Sequence, residues 1–400
     1  MSLINLIQAM ETQVIGKSPR LLSLDVLRGA TIATMILVNN PGDWDHIYPP
    51  LEHSDWNGCT PTDLVFPFFL FMAGVAVVYA METRKANKED HGKLIAHAFK
   101  RMLTLLLINY GIDFIFTVVN SYIATSHFNI GDSLAHLRIP GVLPRIAIVY
   151  FISTVLYLKT SAKTRAWIFA GVLIGYYLIM TFIPVPGIGH ANLEKETNLG
   201  AWLDRLVFGT NHLWNQKHTW DPEGLLGTIP ALGTGLFGVR VGSWLKNKAT
   251  DDAKKVIWMF VYGFGAIILA LIWDLFFPIN KQLWTSSFVL YTGGLATVIL
   301  AMLYWLIDVQ GYKRATPFFV AFGMNAITAY ILSGVVPALI GYIPMHFNGH
   351  KVDPLNYIFL TVFTPNFSPL NASLCSAILL VLIIWVIMWI LYKRKIIIKV

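Results

Sequence analysis

Residues 372–392 read ASLCSAILLVLIIWVIMWILY and are followed directly by the basic residues Lys393, Arg394 and Lys395. An uncharged apolar run of about 20 residues is long enough to cross the hydrocarbon core of a bilayer as one helix. Basic residues that flank such a run favour the cytoplasmic side of the membrane. This stretch therefore predicts a membrane-spanning helix with a cytoplasmic end.

The composition of the whole chain agrees with a membrane protein. Of its 400 residues, 56% are hydrophobic and only 13% are charged, whereas soluble domains carry about 25% charged residues. These values exclude a soluble enzyme, a disordered chain and a disulfide scaffold. The net charge of +8 does not indicate a nucleic-acid binder, because the Lys and Arg residues form short clusters between apolar runs.

Nine further apolar runs precede this segment, so we predict an all-α polytopic membrane protein with about ten transmembrane helices. The predicted limits are Leu22–Asn39, Thr62–Met81, His97–Val119, Gly141–Leu158, Ala166–Ile183, Leu225–Leu245, Val256–Phe277, Trp284–Ile307, Pro317–Ile340 and Ala372–Tyr392. Lys and Arg concentrate in every second connection, which predicts that both termini are cytoplasmic. Residues 1–21 are expected to form a cytoplasmic amphipathic lead, and residues 22–400 a single transmembrane domain with extracytoplasmic loops at 40–61, 184–224 and 341–371.

The sixth predicted span is unusual because it is rich in Gly and Pro. Residues 225–242 read LLGTIPALGTGLFGVRVG. Small residues in a membrane helix favour close packing against a neighbouring helix. A hinge or a substrate path is the alternative interpretation.

Polar side chains are concentrated in the predicted outer loops. The first loop, residues 40–61, contains His53, and Asp63 follows at the start of the second span. Histidine can act as a general base near neutral pH, although a single loop histidine is often simply solvated. Asp221 and Glu223 precede the sixth span, a position that also suits a helix N-terminus. A third cluster combines Lys281 with Asn280 and Trp284, a combination that is also typical of a membrane-edge anchor.

Charged and amide side chains also lie inside the predicted spans, where an ionisable residue indicates function. Arg28 follows Asp25 by one helical turn, so the two can pair. Arg145 follows a proline near the outer end of the fourth span. Amide groups add hydrogen-bonding capacity at Asn39, Asn40, Asn109 and Asn325. Structural pairing explains any one of them, but together they indicate a polar cavity.

Six blocks of sequence resemble the heparan-α-glucosaminide N-acetyltransferase family. They are SLDVLRGATIATMILVNN (23–40), YPPLEHSDWNGCTPTDLVFPFFLFMAGV (48–75), GVLPRIAIVYF (141–151), WDPEGLLGTIPA (220–231), FPINKQLWTSSFVL (277–290) and PFFVAFGMNAITAY (317–330). The blocks run in the order that the family shows. The chain looks like one of the bacterial relatives, which implies a multi-pass protein of the bacterial inner membrane.

The resemblance implies a transmembrane acetyltransferase that transfers acetyl from cytosolic acetyl-CoA to the amine of a glucosamine-type sugar on the other side. The family's active-site histidine lies in an H-x-x-W-N-G block, which begins here at His53. We therefore expect catalytic roles for His53, Asn39 and Asp63. Cationic and amide groups suit the phosphates of the donor, and the expected cofactor-binding residues are Arg28, Arg145, Lys281 and Asn280. The expected substrate-binding residues are Asn40, Asp55, Trp56, Asn57, Asp221, Glu223, Trp284 and Asn325.

The sequence is compatible with two roles for His53. His53 can carry acetyl as an acyl-imidazole, or it can act as a general base that deprotonates the amine. A permease for an amino sugar or N-acetylglucosamine is the second reading of the chain, and a structural or assembly subunit is the third. The expected partners are an amino-sugar acceptor, membrane lipid and, if the protein forms a homodimer, a second copy of the chain. Neither a metal ion nor nucleic acid is expected.

Overall fold

The computed structural model describes residues 21–125, 127, 130–214 and 218–398, and it is mostly helical. The predicted amphipathic lead therefore lies outside the described residues, except for Leu21. The helices are α1 (Leu22–Asn39), α2 (Val65–Ala86), α3 (His91–Thr125), α4 (Ile130–Ala135), α5 (Val142–Lys159), α6 (Ala162–Phe182), α7 (Leu199–Phe208), α8 (Thr228–Leu245), α9 (Asp252–Asp274), α10 (Ser286–Leu303), α11 (Thr316–Met324), α12 (Ala326–Gly341), α13 (Pro354–Ile358), α14 (Thr364–Asn366) and α15 (Pro369–Lys393).

Short elements complete the fold. Strands β1 (Met345–Phe347) and β2 (His350–Val352) form an antiparallel hairpin after α12. Three 3₁₀ turns cover Pro49–Leu51, Pro61–Leu64 and Thr210–His212, and π-helical segments cover Tyr304–Val309 and Phe359–Phe363.

Within the described residues, eight helices are long and apolar enough to cross a membrane, and the pair α11 and α12 makes a ninth if it counts as one span. The pair is bent by 83° at Asn325. The predicted polytopic all-α class is thus confirmed, while the predicted number of ten is not. The remaining predicted span corresponds to α8, which is not among these candidate membrane helices. Its 18 residues include four glycines, a proline and Arg240.

The Gly-rich helix α8 is packed directly against α2. A Cβ atom built on Gly238 would lie 2.0 Å from the Phe71 carbonyl oxygen, and one on Gly74 would lie 2.0 Å from the Gly235 carbonyl oxygen. No side chain fits at such a distance, so glycine allows the two backbones to touch. The packing interpretation of this segment is correct.

A second close approach joins α1 to α11. A Cβ atom on Gly323 would lie 2.1 Å from the carbonyl oxygen of Asp25, and one on Gly29 would lie 1.8 Å from that of Phe319. The break at Asn325 is therefore held beside the first turns of α1. This contact fixes where α11 ends relative to Arg28.

Candidate active site

Asp63 stabilises the loop that carries His53. The 3₁₀ turn Pro61–Leu64 follows Thr60, whose backbone N–H and hydroxyl donate to Asp63 Oδ2 at 3.0 and 3.1 Å. The backbone N–H of Ser54 donates to the same oxygen at 3.1 Å. Oδ1 of Asp63 is left facing His53, whose Nδ1 lies 2.7 Å away. The local sequence thus fixes a buried carboxylate directly beside the loop histidine.

A lysine from a distant part of the chain completes this group. Lys281 Nζ lies 3.3 Å from Asp63 Oδ1 and 3.0 Å from His53 Nδ1. The turn that carries Lys281 is tied to the His53 loop, because the Gly58 N–H donates to the Ile279 carbonyl at 2.7 Å. An ionised carboxylate only accepts hydrogen bonds, so Asp63 can accept from both the imidazole and the ammonium group.

The contact with Asp63 selects one tautomer of the imidazole. A neutral histidine carries one ring N–H, and the 2.7 Å contact with the carboxylate, shorter than the 3.0 Å contact with Lys281 Nζ, places this hydrogen on Nδ1. Lys281 then donates to Asp63 and not to the imidazole. Nε2 therefore keeps a free lone pair. The His53 side chain is 45% exposed, whereas that of Asp63 is 1% exposed. His53 is therefore an accessible base or nucleophile, and its hydrogen bond to Asp63 fixes the orientation of the ring.

His53 and Lys281 open into a cavity of about 880 Å³ that extends along the helices. We call the part of the cavity around His53 and Lys281 the His53 end. Its further lining residues are Asn39, Thr62 and Glu223. The opposite part, the Arg28 end, is formed by the first turns of α1 and α3. Its basic lining residues are Arg28, His97, Lys100 and Arg101. Apolar side chains such as Ile32, Met72 and Ile146 form the wall.

The two arginines expected at the donor site occupy different environments. Arg28 lines the cavity, and its Nη1 donates to Asp25 Oδ1 at 3.0 Å. Arg145 is 2% exposed, and its guanidinium lies 5.1 Å from the centre of the Trp284 ring. Its Nη2 donates to the Gly224 carbonyl at 2.9 Å. Arg145 is therefore part of the packed interior behind the cavity.

Three of the expected substrate or cofactor residues are used in packing. Trp284 is 1% exposed, and its Nε1 donates to Thr234 Oγ1 at 3.1 Å. The buried amide of Asn280 donates to Asn57 Oδ1 at 3.1 Å and so joins the Lys281 turn to the His53 loop. Asn40 Nδ2 donates to the carbonyl of Ile36 at 2.9 Å, at the end of α1.

Other expected substrate residues lie on or near the His53 loop. Asp55 is exposed there. Trp56 packs edge-on against Trp220, with ring centres 5.4 Å apart, and donates to the Leu193 carbonyl. Asn325 lines the Arg28 end of the cavity, in the break between α11 and α12.

Sequence reasoning missed Arg138, which binds both acidic residues that precede α8. Its Nε and Nη2 donate to the two carboxylate oxygens of Asp221 at 2.9 and 2.7 Å, and Nη2 also donates to Glu223. Burial alone would lower the pKa of Arg138, but the carboxylates outweigh burial and the pKa is raised. A single Arg in a loop gave no sequence signal for this pairing.

The basic residues of α3 were also missed as site residues. In the sequence, Lys100 and Arg101 belong to a run of cations that indicates a cytoplasmic connection. In the structure they lie within α3, and they line the cavity together with His97 and Thr104. The spacing of three and four residues between these positions is the signal that could have placed them on one helix face.

Asp204 of α7 is a buried carboxyl group near the same acidic residues. Its Oδ1 accepts from the Leu225 N–H at 2.8 Å, and the residue is 2% exposed. Burial raises the pKa of Asp204 to about 7, the Leu225 hydrogen bond opposes the rise, and the charge of Asp221 adds to it. This group titrates near neutral pH.

Comparison with known proteins identifies relatives of the chain. The family described as "Domain of unknown function (DUF5009)" matches residues 20–138. Heparan-alpha-glucosaminide N-acetyltransferase of Homo sapiens is 32% identical over an alignment 362 residues long, which covers 78% of this chain and 52% of the human protein. The Mus musculus protein of the same name is 32% identical over 362 residues, with 78% and 53% covered.

The chain is a homologue of the heparan-alpha-glucosaminide N-acetyltransferases. It spans about half the length of these curated relatives. The resemblance seen in the sequence blocks is thereby confirmed. The DUF5009 match includes His53, Asp63 and the basic residues of the Arg28 end.

The described part of this N-acetyltransferase homologue contains no group of three or more His, Cys, Asp or Glu side chains placed to hold a metal ion. Its two cysteines, Cys59 and Cys375, are free thiols.

Proposed function

We propose that this membrane protein is an acetyl-CoA-dependent N-acetyltransferase that acts on the amine of a glucosamine-type sugar. The observation that carries the proposal is the cavity, which joins the His53–Asp63 pair at one end to a cluster of cations at the other. The name N-acetyltransferase, carried by the curated relatives, supports the same chemistry.

The donor is assigned to the Arg28 end. Phosphate oxygens form strong charge-assisted hydrogen bonds with guanidinium and ammonium groups, which Arg28, Lys100 and Arg101 supply. The apolar wall suits the extended arm that carries the thioester toward His53. The pattern of Lys and Arg supports an Arg28 end that faces the cytoplasm, where acetyl-CoA is made, in a bacterial inner membrane. A homodimer embedded in lipid is a further expectation of this proposal.

In the covalent route, Nε2 of His53 attacks the carbonyl carbon of the thioester. The new N–C bond forms as the C–S bond breaks, and coenzyme A leaves as the thiolate. Asp63 stabilises the positive acetyl-imidazolium through the Nδ1–H hydrogen bond. The acceptor amine then attacks the acetyl carbon, the N–C bond to His53 breaks, and the released amine proton passes through the imidazole to the thiolate or solvent.

In the direct route, the amine itself attacks the thioester carbon while Nε2 of His53 accepts its proton. The C–S bond breaks, and the thiolate takes up the proton from the imidazolium. Both routes begin with the same neutral imidazole, so the Nδ1 contact with Asp63 serves either one.

The acceptor is assigned to the His53 end. Glu223 lines the cavity there, and Arg138 fixes its carboxylate, which is able to hold an amine or a sugar hydroxyl. The placement of Lys281 beside Asp63 favours a positioning role for this lysine over the phosphate contact expected from the sequence. Asn280 supports the same turn from within.

The test is acetyl transfer from radiolabelled acetyl-CoA to glucosamine by the purified protein. Loss of transfer in His53→Ala, with binding of coenzyme A retained, is the expected result. A protein that moves N-acetylglucosamine across vesicles but transfers no acetyl would support the permease reading, which the long cavity and the broken α11–α12 pair also fit.

A further inference from the structure

The chain reverses direction immediately after its last long helix. Helix α15 ends at Lys393, and Lys395 adopts a left-handed conformation with φ of 56°. The Ile396 N–H donates to the Leu391 carbonyl at 2.9 Å, and the Lys395 N–H donates to the Tyr392 carbonyl at 3.0 Å. This pair of bonds is a Schellman motif, in which glycine is the usual left-handed residue. The turn sends residues 396–398 back toward the bundle.

Asn325 holds these returning residues through both ends of its side-chain amide. Its Nδ2 donates to the Ile396 carbonyl at 2.9 Å, and its Oδ1 accepts from the Ile398 N–H at 2.8 Å. Asn325 is 2% exposed, so its amide needs these partners. The two bonds act as a clamp between the segment and the α11–α12 break.

The clamped segment forms part of the cavity wall at the Arg28 end. Ile397 and Ile398 line the cavity together with Arg28, Gly323 and Asn325. Three consecutive isoleucines directly after a basic cluster are poorly suited to water. In the turned-back segment Ile396, Ile397 and Ile398 are still 42–48% exposed, so the segment covers this end of the cavity only in part.

We propose that Ile396–Ile398 is a plug at the Arg28 end, which opens when the Asn325 clamp releases and thereby controls entry of the donor. This inference rests on the proposed function only in naming the entering molecule as a coenzyme A thioester. The plug and the donor use the same mouth, so one must move for the other to pass. The buried Asn325 amide then becomes available to the amide groups of the donor arm.

The experiment measures access to a single cysteine inside the cavity. Ala76 lines the cavity on α2, and Ala76→Cys is made in a background with Cys59→Ser and Cys375→Ser. Its rate of modification by a membrane-impermeant maleimide is compared in inside-out and right-side-out vesicles. Deletion of the chain from Ile396 onward is expected to raise the rate about tenfold or more in inside-out vesicles, because two clamping hydrogen bonds are lost. An unchanged or slower rate would overturn the plug.

A second variant guards against a deletion that merely disturbs the fold. Lys395→Gly removes the side chain from the left-handed position and favours the turn. It is expected to slow modification relative to the parent, in the direction opposite to the deletion. Faster modification of Lys395→Gly would contradict the inference, since a firmer turn should hold the plug more tightly.

Coenzyme A as a protecting ligand separates this inference from the proposed function. Protection of Ala76→Cys by coenzyme A, stronger in the deletion variant than in the parent, supports both. Faster modification of the deletion variant without any protection would support the plug and contradict the donor assignment. The two ideas therefore fail separately.

Discussion

His53 Nδ1 lies 2.7 Å from Asp63 Oδ1, and His46 Nδ1 lies 2.7 Å from Asp43 Oδ2. The two pairs share the same hydrogen-bond length, but only the first opens into the long cavity. The chain therefore contains its own matched control for the role of a histidine–carboxylate pair. The carboxylates differ in burial, since the side chain of Asp43 is 34% exposed and that of Asp63 is 1% exposed. A difference in activity between the pairs therefore reports the buried, cavity-facing site and not the hydrogen bond alone.

Asp63→Asn is expected to lower kcat by about 10²–10⁴-fold, because the amide no longer fixes the Nδ1–H tautomer of His53. The KM for acetyl-CoA should change little, since the cations that bind its phosphates lie at the Arg28 end. Steady-state kinetics of acetyl transfer measures both constants. Asp43→Asn is the control and should keep parent kcat, and equal losses in the two variants would argue against a special role for Asp63.

Arg28→Ala is expected to raise the KM for acetyl-CoA about tenfold, because one charge-assisted contact to phosphate is lost. Lys93→Ala is the matched control, since Lys93 is exposed on the same end of the bundle and is not among the residues that line the cavity. Arg145→Ala should instead lower thermal stability, because Arg145 packs over Trp284. Parent KM in Arg28→Ala would remove this residue from the donor site.

The raised pKa of Asp204 is expected to make the stability of the protein depend on pH. Its pKa of about 7 in the folded protein lies above the ordinary value of 3.8, so the folded state binds the proton more tightly than the unfolded state. The contribution of Asp204 to the free energy of unfolding should be largest below about pH 4 and should fall as pH rises to about 7, by at most about 1.4 kcal/mol per pH unit. Thermal unfolding of Asp204→Asn across this range should lack that fall. An identical pH profile for parent and variant would contradict the assignment.

Gly238→Ala should destabilise the protein, because the new methyl group would overlap the Phe71 carbonyl oxygen and separate α8 from α2. Gly265→Ala is the control, since nothing lies within 4 Å of a Cβ at that position of α9. The control should be neutral or slightly more stable, as alanine favours helix over glycine. Unfolding temperatures in detergent measure both, and equal values for the two variants would show that the contact is not needed.

Much of the fold follows from local sequence, whereas the site depends on long-range contacts. The apolar run at 372–392 predicts most of α15 without any knowledge of its neighbours. His53 and Asp63 are only ten positions apart, and both were expected to be catalytic, but their contact was not predicted from the sequence. Lys281 lies 228 positions from His53, and only the packing of two loops brings them together.

Arg28 and Arg145 also show that local sequence does not reveal long-range contacts. Arg28 and Arg145 are both charges in apolar helices, and hydropathy treats them alike. Only the tertiary structure shows that one lines the cavity and the other packs behind Trp284. Nor does a run of three isoleucines reveal its partner, because Asn325 lies far away in sequence.

The most direct test compares His53→Ala with His46→Ala in transfer of radiolabelled acetyl from acetyl-CoA to glucosamine. Loss of His53 should reduce transfer by about 10²–10⁴-fold, or by more if His53 carries the acetyl group, while His46→Ala should stay near the parent rate. Label retained on the parent without acceptor, and absent from His53→Ala, would favour the acyl-imidazole route, and no label would favour the direct route. A His53→Ala protein that transfers acetyl at nearly the parent rate would contradict the central claim.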